Sequence, residues 1–283
     1  MAKGFALTIG LNSVDPKHYA GWSGELNACE ADAEDMADIA KAKKFEVNTL
    51  LTKSATLEKV SDSIHNAAKT LKAGDIFMLS YSGHGGQLPD QNMDEPDMQD
   101  ETWCLYNGEL VDDQLYSFYE EFPQGVRILV FSDSCHSGTV AKLAYFRTKI
   151  DLLRTNVDSN GNKYRVMPRD VSLRTYRKNR EFYDKILKNA KTKETKESVK
   201  SSLLLISGCQ DNQLSADGDF NGLFTSHLLQ VWKDGAFMGG YKEFHKSIVT
   251  RMPPEQTPNY FRVGKVDSQF ERQKPFTIET NKT

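Results

Sequence analysis

Two short segments of the chain bring together the residue types that nucleophilic catalysis needs. One reads Tyr-Ser-Gly-His-Gly-Gly and carries His84, and the other reads Phe-Ser-Asp-Ser-Cys-His-Ser-Gly and carries Cys135. A thiol beside an imidazole that takes its proton is the minimum for a cysteine nucleophile with a general base. We therefore predict that Cys135 attacks a carbonyl carbon with His84 as the base. The backbone N–H groups of Gly85 and Cys135 would stabilise the oxyanion.

Each segment follows an apolar run that is typical of a buried strand. Residues 76–81 precede the first segment, and residues 126–131 precede the second. Ligands of an open parallel sheet bind outside the carboxyl ends of its strands. We therefore predict that His84 and Cys135 meet at one edge of a sheet. The glycines around His84 would let the backbone turn sharply and let a substrate chain approach.

Both residues also have a simpler interpretation. A lone cysteine is usually a small buried hydrophobic residue, and a lone histidine is usually a satisfied polar one. Their joint occurrence after hydrophobic strands, among glycine and serine, favours catalysis. His136 adjoins Cys135 and is expected to project elsewhere. A zinc site made of Cys135, His136 and His84 lacks the usual ligand spacing.

The elements that must position these residues alternate along the chain. Further strands are predicted at residues 5–11, 45–51 and 202–207, and helices at 26–44, 57–71, 223–232 and 241–249. This alternation predicts an α/β fold, with a mostly parallel sheet that is covered by helices on both faces.

The composition is that of an ordinary globular protein. Of the 283 residues 39% are hydrophobic and 27% charged, and the net charge of −3 does not suggest a general nucleic-acid binder. The four cysteines are far apart and form no Cys-x-x-Cys pair, which argues against a zinc ribbon and a disulfide framework. The first residues lack the long apolar core of a signal peptide. We expect a soluble, cytoplasmic protein.

Charge is unevenly distributed. Residues 85–113 contain nine acidic and no basic residues, whereas residues 142–200 contain 17 basic and seven acidic ones. Within the basic segment, residues 158–161 (Asp-Ser-Asn-Gly) predict an exposed turn. Apolar residues after that turn indicate a helix; they are Tyr176, Tyr183, Ile186, Leu187 and Ala190.

The two segments around His84 and Cys135 resemble the histidine and cysteine boxes of metacaspases, the caspase-like cysteine peptidases whose bacterial members are also called orthocaspases. Residues 7–12 resemble the family's first strand, and residues 207–213 and 221–225 resemble its small-subunit part. The resemblance implies a caspase-like three-layer αβα sandwich with a mostly parallel central sheet. It further implies a single domain over residues 1–283, with a large-subunit-like part (1–141), a basic linker and helix (142–200) and a small-subunit-like part (201–283).

The family cleaves after Arg or Lys, and its acidic substrate pocket matches four positions of this chain. They are Cys29, Asp32, Ser82 and Asp133. Residues i and i−2 of a strand share a face, so Ser82 and Asp133 would lie on the same side as His84 and Cys135. Two carboxylates favour a cationic side chain, and Arg can be held bidentately. Alternatively, Asp32 caps or solvates a helix.

Many metacaspases also bind calcium, and Asp100, Asp112 and Asp113 resemble three of the ligands. The family's fourth acidic position is Lys142 here, whose ammonium could replace the charge of the cation. We therefore expect no required cofactor, with either weak calcium binding or none. The alternative for the acidic stretch is a solvated loop.

The basic segment has three interpretations. It is a solvated linker with a helix, a nucleic-acid-binding segment without a recognised motif, or a region that the protein itself cuts, as the family often does. The candidate cleavage residues are Lys149, Arg154, Lys163, Arg165 and Arg169.

We predict a cysteine endopeptidase for peptides with Arg or Lys before the cleaved bond, a monomer without nucleic-acid or membrane partners. One alternative is a catalytically silent caspase-like scaffold. Another is a cysteine amidohydrolase acting on glutamine, but that class favours Gly-x-Cys-x-Gly, and Asp133 occupies the first of those positions.

Overall fold

A six-stranded sheet forms the centre of the structure, a computed structural model that describes residues 1–89, 99–134, 156–158, 161–189, 198–209 and 213–279. Within these residues its strands are β1 (Gly4–Gly10), β2 (Glu46–Leu51), β3 (Ile76–Ser82), β7 (Arg127–Asp133), β8 (Ser202–Ser207) and β9 (Asn259–Gly264). They lie in the order β2-β1-β3-β7-β8-β9. All neighbours are parallel except β9, which runs antiparallel to β8.

Helices cover both faces of this sheet. On one face lie α2 (Leu57–Thr70) and α3 (Asp112–Glu120), and on the other α1 (Cys29–Ala42), α6 (Leu223–Trp232), α7 (Tyr241–Val249) and α8 (Ser268–Arg272). Successive residues of β1 supply opposite faces: Leu7 packs with α2 and α3, whereas Ala6 packs with α1. Because both faces are covered, the central strands are apolar almost throughout, as predicted.

A smaller antiparallel sheet and a helical hairpin lie beside the main sheet. The small sheet consists of β4 (Gly85–Pro89), β5 (Gln99–Leu105) and β6 (Gly108–Val111), and the hairpin of α4 (Arg169–Lys178) and α5 (Arg180–Asn189). The solvated loop considered for residues 85–113 is therefore wrong for the part that is described, because these three strands occupy it. The helix predicted after the basic turn is two helices.

The register of the main sheet brings the two predicted segments to one edge. Ser82, the last residue of β3, lies directly opposite Asp133, the last residue of β7. His84 therefore follows β3 at the edge where β7 also ends, as predicted. In the described part of the chain, no helix is long and apolar enough to cross a membrane.

Candidate active site

A buried acidic pocket lies at the carboxyl ends of β3 and β7. Asp32 projects from the first turn of α1, Ser82 ends β3 and Asp133 ends β7, and each is at most 4% exposed. The Ser82 hydroxyl donates to Asp32 Oδ2 at 2.8 Å. The structure thus brings together Asp32, Ser82 and Asp133, three of the positions that the resemblance implied for the pocket. Asp32 is part of this pocket and not a solvated helix cap.

Arg165, from the basic segment, fills this pocket. Its Nη1 lies 2.8 Å from Asp133 Oδ2 and donates to the Ser82 hydroxyl at 2.8 Å. Its Nη2 lies 2.7 Å from Asp32 Oδ2 and 3.1 Å from Oδ1 of a third carboxylate, Asp217. Burial would lower the pKa of the guanidinium, but the surrounding carboxylates, Asp133 foremost, raise it well above its usual value. The chain thus places its own cation in a pocket suited to an Arg side chain.

Residues between β8 and α6, together with the first turn of α6, hold the carboxylates in place. Asp32 Oδ1 accepts from the Gly222 N–H and the Asn221 amide, each at 3.0 Å. Asp133 accepts from the hydroxyls of Ser215 and Thr225. A Cβ atom at Gly222 would clash with the Arg165 guanidinium, so glycine there allows the close approach.

Cys29, the fourth predicted pocket residue, is fully buried at the start of α1. Burial raises the pKa of its thiol, and the Arg165 guanidinium opposes that rise. The charges of Asp217 and Asp32 raise the pKa of this thiol further, whereas a hydrogen bond with Ser82 lowers it. Cys29 is therefore a buried neutral thiol that lies near Ser82, Asp32 and Arg165.

The main chain around Arg165 lies like an added strand between Gly85, which follows β3, and residues 215–217, which follow β8. The Arg165 carbonyl accepts from the Gly85 N–H at 3.0 Å, and the Arg165 N–H donates to the Ser215 carbonyl at 3.0 Å. On one side of Arg165, the Asp217 N–H donates to the Lys163 carbonyl at 3.0 Å. On the other, the Met167 N–H donates to the Gly85 carbonyl at 2.8 Å. This pattern is the β-addition by which extended peptides bind.

His84 lies beside the bond that follows Arg165. Its Nε2 is 3.0 Å from the Gly24 carbonyl, which can only accept, so Nε2 carries the proton. Burial lowers the pKa of His84 to about 4, and the Gly24 carbonyl and the Val166 backbone oppose that shift. The ring is therefore neutral near pH 7, and its buried Nδ1 keeps a free lone pair. Such a nitrogen can accept a proton.

Neighbouring aromatic residues fix the position of His84. The Tyr81 hydroxyl donates to the His84 carbonyl at 2.7 Å, and the Cys104 N–H donates to the same oxygen at 2.9 Å. Trp22 packs against the imidazole with ring centroids 4.7 Å apart. The His84 imidazole and the Gly85 N–H are therefore held on one turn. Cys135 itself follows Ser134 and lies outside the described residues, as do His136, Lys142, Lys149 and Arg154.

The residues that resemble calcium ligands lie around the start of α3. Asp100 is 3% exposed on β5, while Asp112 and Asp113 begin α3. Burial raises the pKa of Asp112, and the charges of Asp113, Glu101 and Asp100 raise it further. Among the described residues, no group of three or more His, Cys, Asp or Glu side chains is arranged to hold a metal ion.

Comparison with known proteins identifies the family. The family model described as "Caspase domain" matches residues 3–275. The chain belongs to the caspase domain family. Metacaspase-1 of Mycosarcoma maydis is 27% identical over 249 residues, 78% of this chain and 59% of that protein. Metacaspase-1A of Neurospora crassa is 36% identical over 155 residues, 50% of this chain and 33% of that protein. The chain thus spans less than two thirds of the length of these relatives.

Solved structures confirm the predicted caspase-like fold. A crystal structure of a Geobacter sulfurreducens protein is 61% identical, with a TM-score of 0.89 over 98% of this chain and 99% of that chain. Caspase-1 of Spodoptera frugiperda is 10% identical, with a TM-score of 0.55 over 93% of this chain and 87% of that chain, and it supports the fold alone. The recognition of a caspase-like chain from its two boxes is therefore confirmed.

Sequence reasoning missed one pocket residue and misjudged another. Asp217 was not predicted; the available signal was its place in the segment after β8, the neighbour of β7 in the sheet. Arg165 was predicted as one of several cleavage candidates in an exposed segment. That exposure is wrong for Arg165, which is fully buried.

Proposed function

We propose that this chain is a cysteine endopeptidase that cleaves peptide bonds after Arg or Lys. The observation that carries the proposal is Arg165, whose guanidinium contacts the three pocket carboxylates while its carbonyl accepts from the Gly85 N–H. A substrate arginine bound in this way would have its carbonyl carbon polarised by an oxyanion donor. Side-chain recognition and the reacting bond would then be aligned in one cleft.

In this mechanism His84 takes the thiol proton of Cys135, and the resulting thiolate attacks the carbonyl carbon of the bound Arg or Lys. The N–H groups of Gly85 and Cys135 stabilise the oxyanion, the C–N bond breaks, and His84 protonates the leaving amine. Water then hydrolyses the thioester and releases the new carboxylate. Asp32 and Asp133 bind the substrate's cation, with Ser82 and Cys29 lining the pocket.

We also propose that the first substrate is the chain itself, and that the bond between Arg165 and Val166 is cut. Residues 163–167 occupy the cleft, and their main chain makes the hydrogen bonds expected of a substrate. The leaving amine would be that of Val166, a residue whose backbone lies near His84. Until the segment leaves, it excludes other peptides from the pocket.

The alternative is a catalytically silent caspase-like scaffold. The observation that favours it is the complete burial of Arg165 among paired carboxylates, since structural ion clusters are also buried and hydrogen-bonded. In that case Arg165 holds the basic segment permanently against the two parts of the chain.

The test uses the purified chain and its Cys135→Ala variant, with fluorogenic peptides ending in Arg, Lys or Asp, in calcium and in chelator. We expect cleavage after Arg and Lys only, loss of activity in the variant, and a new N-terminus at Val166 by mass spectrometry. Cleavage after Asp would overturn the acidic-pocket assignment. An intact chain that cleaves no peptide would favour the scaffold alternative. The Arg165→Ala variant, which empties the pocket, tests that alternative further.

Three remaining properties complete the proposal. Activity does not require calcium, so the chelator arm should equal the calcium arm. The protein acts on peptides and proteins, without nucleic-acid or membrane partners. It acts as a monomer, which light scattering of the purified chain would check. It works in the cytoplasm, where a reducing environment keeps Cys135 a thiol.

A further inference from the structure

We propose that Asp217 makes the pocket select Arg over Lys. The inference rests on the proposed function and names the residue that sets the preference of the pocket for Arg over Lys. Asp217 supplies the third carboxylate of the pocket and comes from the small-subunit-like part. Asp32 and Asp133 come from the large-subunit-like part.

The carboxylates divide the guanidinium between them. Asp133 contacts Nη1 at 2.8 Å, whereas Asp32 and Asp217 both contact Nη2, at 2.7 and 3.1 Å. The Asp217 side chain is 1% exposed in this contact. The pocket therefore contacts both terminal nitrogens of the guanidinium, and Asp217 contacts only Nη2.

A lysine ammonium cannot occupy both nitrogen positions at once. It is a single nitrogen on a flexible stem, whereas the guanidinium is a planar fork with fixed spacing between its donors. An ammonium placed between Asp32 and Asp133 would leave the Asp217 carboxylate buried without its cationic partner. A buried carboxylate that loses its cationic partner is costly, and that cost falls on Lys but not on Arg.

Asp217 is held too firmly to follow a shorter cation. Its Oδ2 accepts from the Asn27 N–H at 2.7 Å, and its own N–H donates to the Lys163 carbonyl at 3.0 Å. The side-chain amide of Gln256, which is 2% exposed, braces the same segment at Ala216 and Ser215. From one fixed position, Asp217 thus contacts both the backbone of the bound segment and its arginine side chain.

The first experiment measures kcat/KM for matched Arg and Lys peptides with Asp217→Asn. Self-processed enzyme is used, so that Arg165 no longer fills the pocket. The substituted amide keeps an acceptor for the Asn27 N–H but places no charge on the guanidinium. The Arg peptide should lose about tenfold to a hundredfold, as for a hydrogen bond to a charged group, and the Lys peptide clearly less. The matched control is Asp219→Asn, at an exposed carboxylate of the same segment, which should change neither value.

The second experiment tests the contact between Asp217 and Arg165 by stability and does not depend on catalysis. In the Cys135→Ala chain, which stays uncut, melting temperatures are measured for Arg165→Lys, Asp217→Asn and the double variant. Arg165→Lys should lower the melting temperature when Asp217 is present and lower it much less in the chain that also carries Asp217→Asn. This cycle tests the arrangement even if the chain cuts no peptide.

The outcomes separate the two proposals. Equal losses on the Arg and Lys peptides, or additive melting shifts, would overturn the role of Asp217 while peptidase activity stands. Absence of cleavage by every variant that retains Cys135 would overturn the proposed function, and the melting cycle would still decide whether Asp217 distinguishes Arg from Lys.

Discussion

At the scale of single residues, the candidate base is kept neutral by its surroundings. His84 is 2% exposed, and burial lowers its pKa to about 4 from an ordinary value of 6.5. Between these two values the unfolded chain binds a proton at this residue and the folded chain does not. The stability that neutral His84 contributes is therefore complete above pH 6.5 and is lost as the pH falls towards 4.

We expect the free energy of unfolding of the Cys135→Ala chain to fall by about 3 kcal/mol from this group between pH 6.5 and 4. In His84→Gln that component should be missing, so the two stability curves should converge on acidification. Urea denaturation at several pH values measures both curves, with His65→Gln, a change on α2 outside the cleft, as the control. Parallel curves would contradict the burial-induced shift.

The resemblance named the pocket positions, and spacing along the chain predicted that Ser82 and Asp133 lie on one side of the sheet. Ser82 with His84, and Asp133 with Cys135, are each separated by two positions, and register pairs Ser82 with Asp133. The contacts of Arg165 could not be predicted in the same way. Arg165 reaches Asp32 across 133 positions, and nothing local distinguishes this cation from its neighbours in the basic segment.

At the scale of elements, segments with an apolar run or a helical stripe were predictable, and segments without such a pattern were not. Strands β1, β2, β3, β7 and β8 and the larger helices follow from apolar runs and helical stripes. β4 to β6 were missed because none of them has a continuous apolar run like those of β1, β3, β7 and β8, and β4 and β6 have only five and four residues. Their burial comes from the small sheet and the α4–α5 hairpin, and a pattern within one segment does not reveal such packing.

The α4–α5 hairpin is held to the small sheet by a compact apolar cluster. Leu187 and Tyr183 on α5 pack against Leu88 and Val111 of the small sheet. The Tyr183 hydroxyl also reaches the His18 Nε2 at 2.6 Å. Because the hairpin follows directly after residue 167, its attachment keeps the chain beyond Val166 in place in the cleft.

Truncating this cluster should loosen the hairpin without unfolding the main sheet. Leu187→Ala removes a buried side chain, a change that typically costs about 2–5 kcal/mol, so we expect faster amide exchange in residues 169–189. Hydrogen–deuterium exchange with mass spectrometry measures this, and Leu173→Ala, at a 43% exposed leucine of α4, is the matched control. Uniform acceleration that includes β1 and β3 would mean that the hairpin and the main sheet unfold as one unit.

At the scale of the whole molecule, the proposed cut would separate two pieces that share one sheet. β7 belongs to the piece before Arg165 and β8 to the piece after it, and six parallel residue pairs join them, from Arg127 with Ser202 to Ser132 with Ser207. The hydrophobic clusters on the two faces of the main sheet each combine side chains from the two pieces. A cut in the linker therefore leaves the shared core intact.

We accordingly expect the self-cut protein to remain one particle. Residues 1–165 and 166–283 should elute together in size-exclusion chromatography, at the volume of the uncut Cys135→Ala chain, and should separate only in denaturant. The physical reason is that burial of the shared apolar core holds the pieces together as strongly as it holds the uncut fold, apart from the lost chain connection. Separation of the two pieces in native buffer would show that the linker, and not the shared sheet, keeps the pocket residues Asp133 and Asp217 together.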